Sequence, residues 1–183
     1  ERHNARMQNT IKYFYGKDSC FDISHIDIPQ EYRKGLVKCR MVYNYTVLSI
    51  SFEAYSIRPI NSVMLVDGVD INYEYKYENR SQLNELFNLR QGCDDVLITK
   101  NRAVTDLSFA NLVFEDWSGE LYTPSTPLLS GTKRDLLLAD GIINERHITL
   151  DYLDSYRGFY VINAMIDLED QVFIPTTNIV VRV

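Results

Sequence analysis

The sequence is poor in several things, and each shortage removes a class of protein. It holds three cysteines, Cys20, Cys39 and Cys93, among 183 residues. Their odd number and the lack of any CxxC spacing argue against a disulfide framework and a zinc site, and suit a reducing compartment such as the cytoplasm. No run of about eighteen apolar residues occurs, so no membrane-spanning helix is expected. Positive charge is scarce and scattered: 19 Lys and Arg face 25 Asp and Glu, for a net charge of -6 and a pI near 5.1. Nucleic acid is not an expected partner, because phosphate backbones need a concentrated basic face. With eight glycines and five prolines the chain is neither collagen-like nor low-complexity. His3, His25 and His147 stand far apart, with no carboxylate spacing that suggests a metal site. The GxSxG, HExxH and GxxxxGK[ST] signatures are all missing. Asn44-Tyr45-Thr46 and Asn79-Arg80-Ser81 match the glycosylation triplet, which is common by chance.

What is present is an ordinary globular composition, 45% hydrophobic and 24% charged. The length suits one large domain or two small ones. Met7, Ile11, Phe14 and Tyr15 fall at helical spacing, with Gly16 as the stop, so the chain starts inside a predicted helix. Val37, Cys39, Met41 and Tyr43 alternate with Lys38, Arg40, Val42 and Asn44, which predicts a strand. A second strand over Val47 to Tyr55 makes a hairpin with it through Asn44-Tyr45, and Val63 to Val66 is a third.

Asp67-Gly68-Val69-Asp70 reads as a turn, and the domain boundary is placed there: 1–68 as an N-terminal α+β domain, 69–183 as the second. Leu83, Leu86, Phe87 and Leu89 predict a helix over Ser81 to Arg90, with Ser81 as N-cap. A hairpin around Asn101-Arg102 follows, then strands over Asn111 to Phe114 and Leu121 to Thr123. Short helices are predicted at Thr132 to Leu138 and Leu150 to Tyr156, and strand-like runs at Phe159 to Ile166 and Gln171 to Val183. Strands in runs with few βαβ repeats make the class α+β.

Four stretches carry chemistry as an ordered set: Tyr75-Lys76-Tyr77; Cys93 to Ile98 (CDDVLI); Val104 to Asn111 (VTDLSFAN); and Thr123-Pro124 leading to Leu129 through Asp135 (LSGTKRD). His3-Asn4-Ala5-Arg6-Met7 is a fifth. Together they resemble the class IV aminotransferase family, which includes branched-chain and D-amino-acid transaminases and aminodeoxychorismate lyase. The resemblance implies a two-domain fold of the D-amino-acid aminotransferase type. The family's first strand is expected to be missing here, and the second domain to have a β-barrel-like core. It further implies pyridoxal phosphate as cofactor, amino and keto acid substrates, and a homodimer.

The resemblance also implies roles. Lys76 stands where the family's lysine holds the cofactor aldehyde as a Schiff base and shuttles the α-proton. Its flanking tyrosines predict partial burial, which would lower its pKa. Asp106 stands where a carboxylate, often Glu, keeps the pyridine nitrogen protonated. Thr132 and Lys133 open a helix whose N–H groups suit a phosphate, and Arg6 matches the arginine that pairs with the same phosphate. Asn163-Ala164-Met165 stands at the small-residue loop that faces the cofactor. Arg40 is a candidate for a substrate carboxylate.

Each role has a plainer competitor. Lys76 is then a surface lysine on a strand, and Asp106 caps a turn with Ser108. Arg6 lies on a solvated helix face, Ala164 and Met165 pack in a core, and Arg40 is an exposed strand arginine. Asn111 is expected to hold its strand through local backbone bonds. A chain that keeps the fold but not the catalysis is the competing reading of the whole.

Overall fold

The computed structural model describes residues 1–18 and 21–181. Cys20 and the end of the strand-like run at Val183 lie outside them. The chain divides into two compact units, Glu1–Ile57 and Arg58–Val183.

The first unit holds α1 (Arg2–Tyr15) and an antiparallel hairpin of β1 (Val37–Tyr43) and β2 (Val47–Ala54). Met7 and Ile11, one turn apart, are the buried side chains of α1. Gly16 ends the helix at φ 63, and its N–H closes on Lys12 O. That left-handed conformation suits glycine, which has no Cβ to clash. In the hairpin turn Asn44 Oδ1 accepts the Thr46 N–H at 2.8 Å. Short 3-10 turns at Ile23–His25 and Gln30–Tyr32 occupy the segment between helix and hairpin.

The second unit begins with β3 (Val63–Asp67), followed by α2 (Ser81–Asn88), β4 (Asp95–Lys100), β5 (Ala103–Leu107), β6 (Asn111–Asp116) and β7 (Leu121–Pro124). Then come α3 (Thr132–Ala139), β8 (Asn144–Arg146), β9 (Tyr156–Ile162), β10 (Phe173–Pro175) and β11 (Ile179–Val180). Two sheets form, in the orders β11-β3-β4-β5 and β10-β9-β6-β7-β8. Because β3 lies between β11 and β4, the segment before residue 68 that contains it belongs with the second unit. The unit division at 57/58 therefore precedes the turn at Asp67-Gly68.

One core cluster gathers residues of both sheets, among them Val63, Leu97, Val104, Phe114, Phe159 and Ile174. A second joins α2 to the other face of β4 through Leu83, Val96 and Ile98. With both faces covered, β4 is buried from Asp95 to Thr99 and reads as a continuous apolar run, not an alternating one. Fully burying a side chain such as Leu97 is worth about 2 kcal/mol. Asn101 and Arg102, at φ 50 and φ 66, form the tight β4–β5 turn whose twist matches the strands. The helix expected at Leu150 to Tyr156 is a 3-10 segment, Leu150–Ser155, that leads into β9. Ser81 is the first residue of α2, not its cap: Arg80 occupies the cap position, and Asn79 Oδ1 accepts the Ser81 N–H at 2.9 Å.

Candidate functional site

Lys76 lies in the segment 68–80, which links β3 to α2 without strand structure. The surface-strand reading is thus replaced by a loop. The Tyr77 N–H bonds to the Tyr75 carbonyl at 2.9 Å, so Lys76 stands at the apex of a three-residue turn. The Tyr73 hydroxyl donates to Tyr77 O at 3.2 Å, and the rings of Tyr73 and Tyr75 both meet Tyr77 edge-on. Lys76 is exposed, and so are its neighbours Glu74 and Tyr77, so the partial burial expected from the tyrosines is not present. Lys100 Nζ holds the start of the loop by bonding to Ile71 O at 2.8 Å.

Asp106 is 5% exposed at the end of β5. Its Oδ1 accepts from Asn111 Nδ2 at 2.7 Å, and its Oδ2 accepts the N–H groups of Leu128 and Leu129 at 2.8 and 3.1 Å. Burial pushes its pKa up to about 6 despite these donors, because desolvation outweighs them. The expected turn cap with Ser108 is not what is found. Asp106 instead joins the β5–β6 turn to the loop before α3. Asn111 reaches the same loop through Leu129 O at 2.8 Å, a bond across 18 residues and not a local one.

The loop ends at Gly131, the N-cap residue of α3, which has no side-chain cap. A helix start without a side-chain cap presents N–H donors and positive dipole. Thr132 is buried there at 8% exposure. The ammonium of Lys133 pairs with Asp167. Asp167 also caps a 3-10 turn that follows the bend at Asn163–Ile166. Ala164 is exposed at the tip of that bend and Met165 is half-buried, so neither is a core residue. The bend is held by the Met165 N–H on Asn163 Oδ1 at 2.7 Å. Because Asn111 pairs with Ile162 across β6 and β9, the bend sits beside the Asp106 turn.

Two further bonds complete this frame, made by residues to which the sequence assigned no role. Arg80 donates to Ser108 O at 2.7 Å, and the Ser108 N–H goes to Asp95 Oδ1 at 3.1 Å. Asp95 is fully buried and paired with Arg58 at 2.5 Å. The Lys76 loop, the Asp106 turn, the start of α3 and the Asn163 bend are therefore linked within one unit. Arg6 and Arg40 belong to the other unit. The Arg6 guanidinium lies 3.4 Å from His3 Nδ1, and Arg40 is exposed on β1, where its charge helps hold the Glu53 pKa down after the larger effect of Lys38. The cavity of about 290 Å³ lined by Asp67, Thr99, Arg102 and Leu150, among others, includes none of the expected site residues.

Residues 83–168 match the family described as amino-transferase class IV. An uncharacterised protein of Haemophilus influenzae is 37% identical over 166 residues, covering 89% of this chain and 88% of its own. A crystal structure from Haemophilus somnus 129PT, provisionally named a 4-amino-4-deoxychorismate lyase, superposes with a TM-score of 0.82 at 32% identity. It covers 90% of this chain and 87% of its own. The chain belongs to the class IV aminotransferase family. Its fold is also shared by a hypothetical aminotransferase of Mycobacterium tuberculosis in PLP-bound form, at TM-score 0.57 and 17% identity over 70% of this chain and 57% of that one. The matched segment of the class IV family contains Asp106, Thr132, Lys133 and Ala164, and begins after Lys76.

Two features bear on whether a pyridoxal phosphate would fit: the buried carboxylate of Asp106 and the uncapped start of α3. Three N–H donors hold the Asp106 carboxylate, yet burial still lifts its pKa. A cationic ring nitrogen beside it would supply the missing charge. The uncapped start of α3 is the matching feature for a phosphate.

Proposed function

We propose that this chain is a pyridoxal phosphate-dependent aminotransferase or lyase, with Lys76 as the residue that takes the cofactor aldehyde. The observation that carries this reading is the hydrogen-bonded frame holding the Lys76 loop, the buried Asp106 carboxylate and the uncapped start of α3 together. When bound, the cofactor supplies an electron-withdrawing ring that weakens a bond at the substrate's α-carbon. Lys76 moves the proton at that carbon as general base and acid. Asp106 offers its carboxylate to the ring nitrogen. Thr132 offers its hydroxyl and the helix N–H groups to the phosphate. Lys133 supports this from a distance, by anchoring the start of α3 to Asp167. The exposed bend at Ala164 offers backbone N–H to phosphate or substrate.

Amino and keto acids are the substrate class. Similarity to the H. somnus protein puts 4-amino-4-deoxychorismate first among compounds to screen, with loss of pyruvate as the readout; amino transfer to a keto acid is the other outcome. A homodimer in the cytoplasm completes the proposal. No helix among the described residues is long and apolar enough to cross a membrane.

The test is an absorption spectrum of the purified protein with pyridoxal phosphate, before and after borohydride. The expected result is a band that borohydride fixes covalently and that Lys76→Ala abolishes. No band at any cofactor concentration would overturn the proposal. It would favour the competing reading, a class IV fold used for binding, which the prior engagement of both Asp106 oxygens supports.

A further inference from the structure

We propose that Arg80 is a positioning residue, which holds the Lys76 loop in register with the Asp106 turn through the carbonyl of Ser108. The cofactor part of this proposal rests on the function proposed above. The mechanical part does not.

Two segments need registering. One is the loop 68–80, which has no helix or strand; the Tyr75–Tyr77 turn and the Tyr73 hydroxyl shape it from within. The other is the turn from Asp106 to Asn111, which is tightly held: Leu107 N–H bonds to Ala110 O at 3.0 Å, and Asp106 and Asn111 are anchored to Leu128 and Leu129. Arg80 joins the two directly, with a charge-assisted bond of 2.7 Å to Ser108 O.

Both ends of that bond are stiff. At one end, Arg80 is the cap residue of α2, whose Leu83 is 3% exposed against β4. At the other, the Ser108 peptide is held from behind, since its N–H goes to the buried Asp95 and Asp95 is paired with Arg58. Asp95 thus fixes Ser108 with respect to β4, and Arg80 fixes the loop with respect to Ser108. Lys76 lies four residues before Arg80, so slack at Arg80 passes directly into the lysine's position. A planar guanidinium suits this role better than an ammonium, because less side-chain freedom is lost for each bond it makes.

The experiment compares wild type, Arg80→Ala and Arg80→Lys by two readouts. The first is amide hydrogen exchange of the cofactor-free chain over 71–79, with β6 as the internal control. The second is the rate at which borohydride fixes pyridoxal phosphate on Lys76, read by peptide mass. Arg80→Ala should speed exchange over 71–79 at least tenfold while β6 stays as protected as in wild type. It should slow trapping at least tenfold, and Arg80→Lys should fall between. Exchange and trapping within twofold of wild type would overturn the proposal, and so would exchange that rises equally in β6, which marks general destabilisation. If wild type traps no cofactor, the function proposed above falls, and the exchange result alone decides the role of Arg80. If Arg80→Ala does not fold, Arg80→Gln and Arg80→Lys are judged by the same measurements.

Discussion

Asn111 donates one amide N–H to Asp106 Oδ1 at 2.7 Å and another to the carbonyl of Leu129 at 2.8 Å, so one side chain ties a buried carboxylate to the loop that leads into α3. Asp106 answers from its second oxygen, which accepts the Leu128 and Leu129 N–H groups. Truncating Asn111 leaves a buried charged acceptor short of a donor and a carbonyl without its partner. Asn111→Ala should therefore cost about 2–3 kcal/mol. Urea unfolding checks this, with the loss appearing in the midpoint and not in the slope. A loss below roughly 0.5 kcal/mol would mean that the bridge is replaced by water.

The Asp106 pKa, raised from 3.8 to about 6 mainly by burial, sets a pH dependence. Between those values the folded chain holds a proton that the unfolded chain has released. Stability from this group is therefore full below pH 3.8 and is lost as pH rises towards 6. The loss is on the order of 3 kcal/mol. Asp106→Asn removes the titration. The stability of wild type relative to Asp106→Asn should thus fall across this window, measured by thermal unfolding at several pH values. A cation placed beside Asp106 would reverse the effect, so pyridoxal phosphate should flatten the slope. A difference that grows with pH in the cofactor-free chain would sink the assignment.

Gly131 is needed for space, not for backbone freedom. Its φ of -78 is open to any residue, but a Cβ there would lie 2.0 Å from Asn111 Oδ1. Gly131→Ala should cost about 1–3 kcal/mol by overpacking. In an Asn111→Ala background, where the obstructing atom is gone, the same change should cost under roughly 0.5 kcal/mol, because the two sites share one contact. Equal costs in both backgrounds would refute the clash.

What could be read from the residues divides along a physical line. α1, the two hairpins and β6 were legible because each is decided by local periodicity or turn chemistry: Met7 and Ile11 at helical spacing, or Asn101-Arg102 between two apolar runs. The position of β3 in the second unit was not, since its pairing with β11 depends on residues more than a hundred positions away. The site shows the same division. Asp106, Asn111 and Thr132 carried a motif. Asp95 lay in the CDDVLI stretch but was given no role, and Arg80 lay outside the set: each acts on the backbone of Ser108, and a backbone partner leaves no mark in the partner's side chain. A carboxylate at the head of an apolar strand was the available hint, and its neighbour Asp94 is engaged too, accepting the Asn61 and Ser62 N–H groups. Lys133 was picked out by its place beside the glycine of a helix start, which suits an anion, and its partner in the fold, Asp167, lies 34 positions on, beyond local pattern.

That pairing gives a prediction separating Lys133 from a direct phosphate ligand. Its side chain is 19% exposed, and its ammonium is engaged with the half-buried Asp167, which in turn caps the 3-10 turn after Ala164. Removing it should loosen this local join and lower stability by about 1 kcal/mol, the upper range for a partly exposed pair. Lys133→Ala should change the affinity for pyridoxal phosphate less than threefold, because the helix N–H groups stay in place. Thr132→Val keeps the shape but removes a hydroxyl proposed to face the phosphate, so it should weaken binding about tenfold, or near 1.4 kcal/mol. Cofactor titration of both variants, followed by absorbance, compares them directly. A larger loss in Lys133→Ala than in Thr132→Val would show that the lysine leaves Asp167 to reach the phosphate.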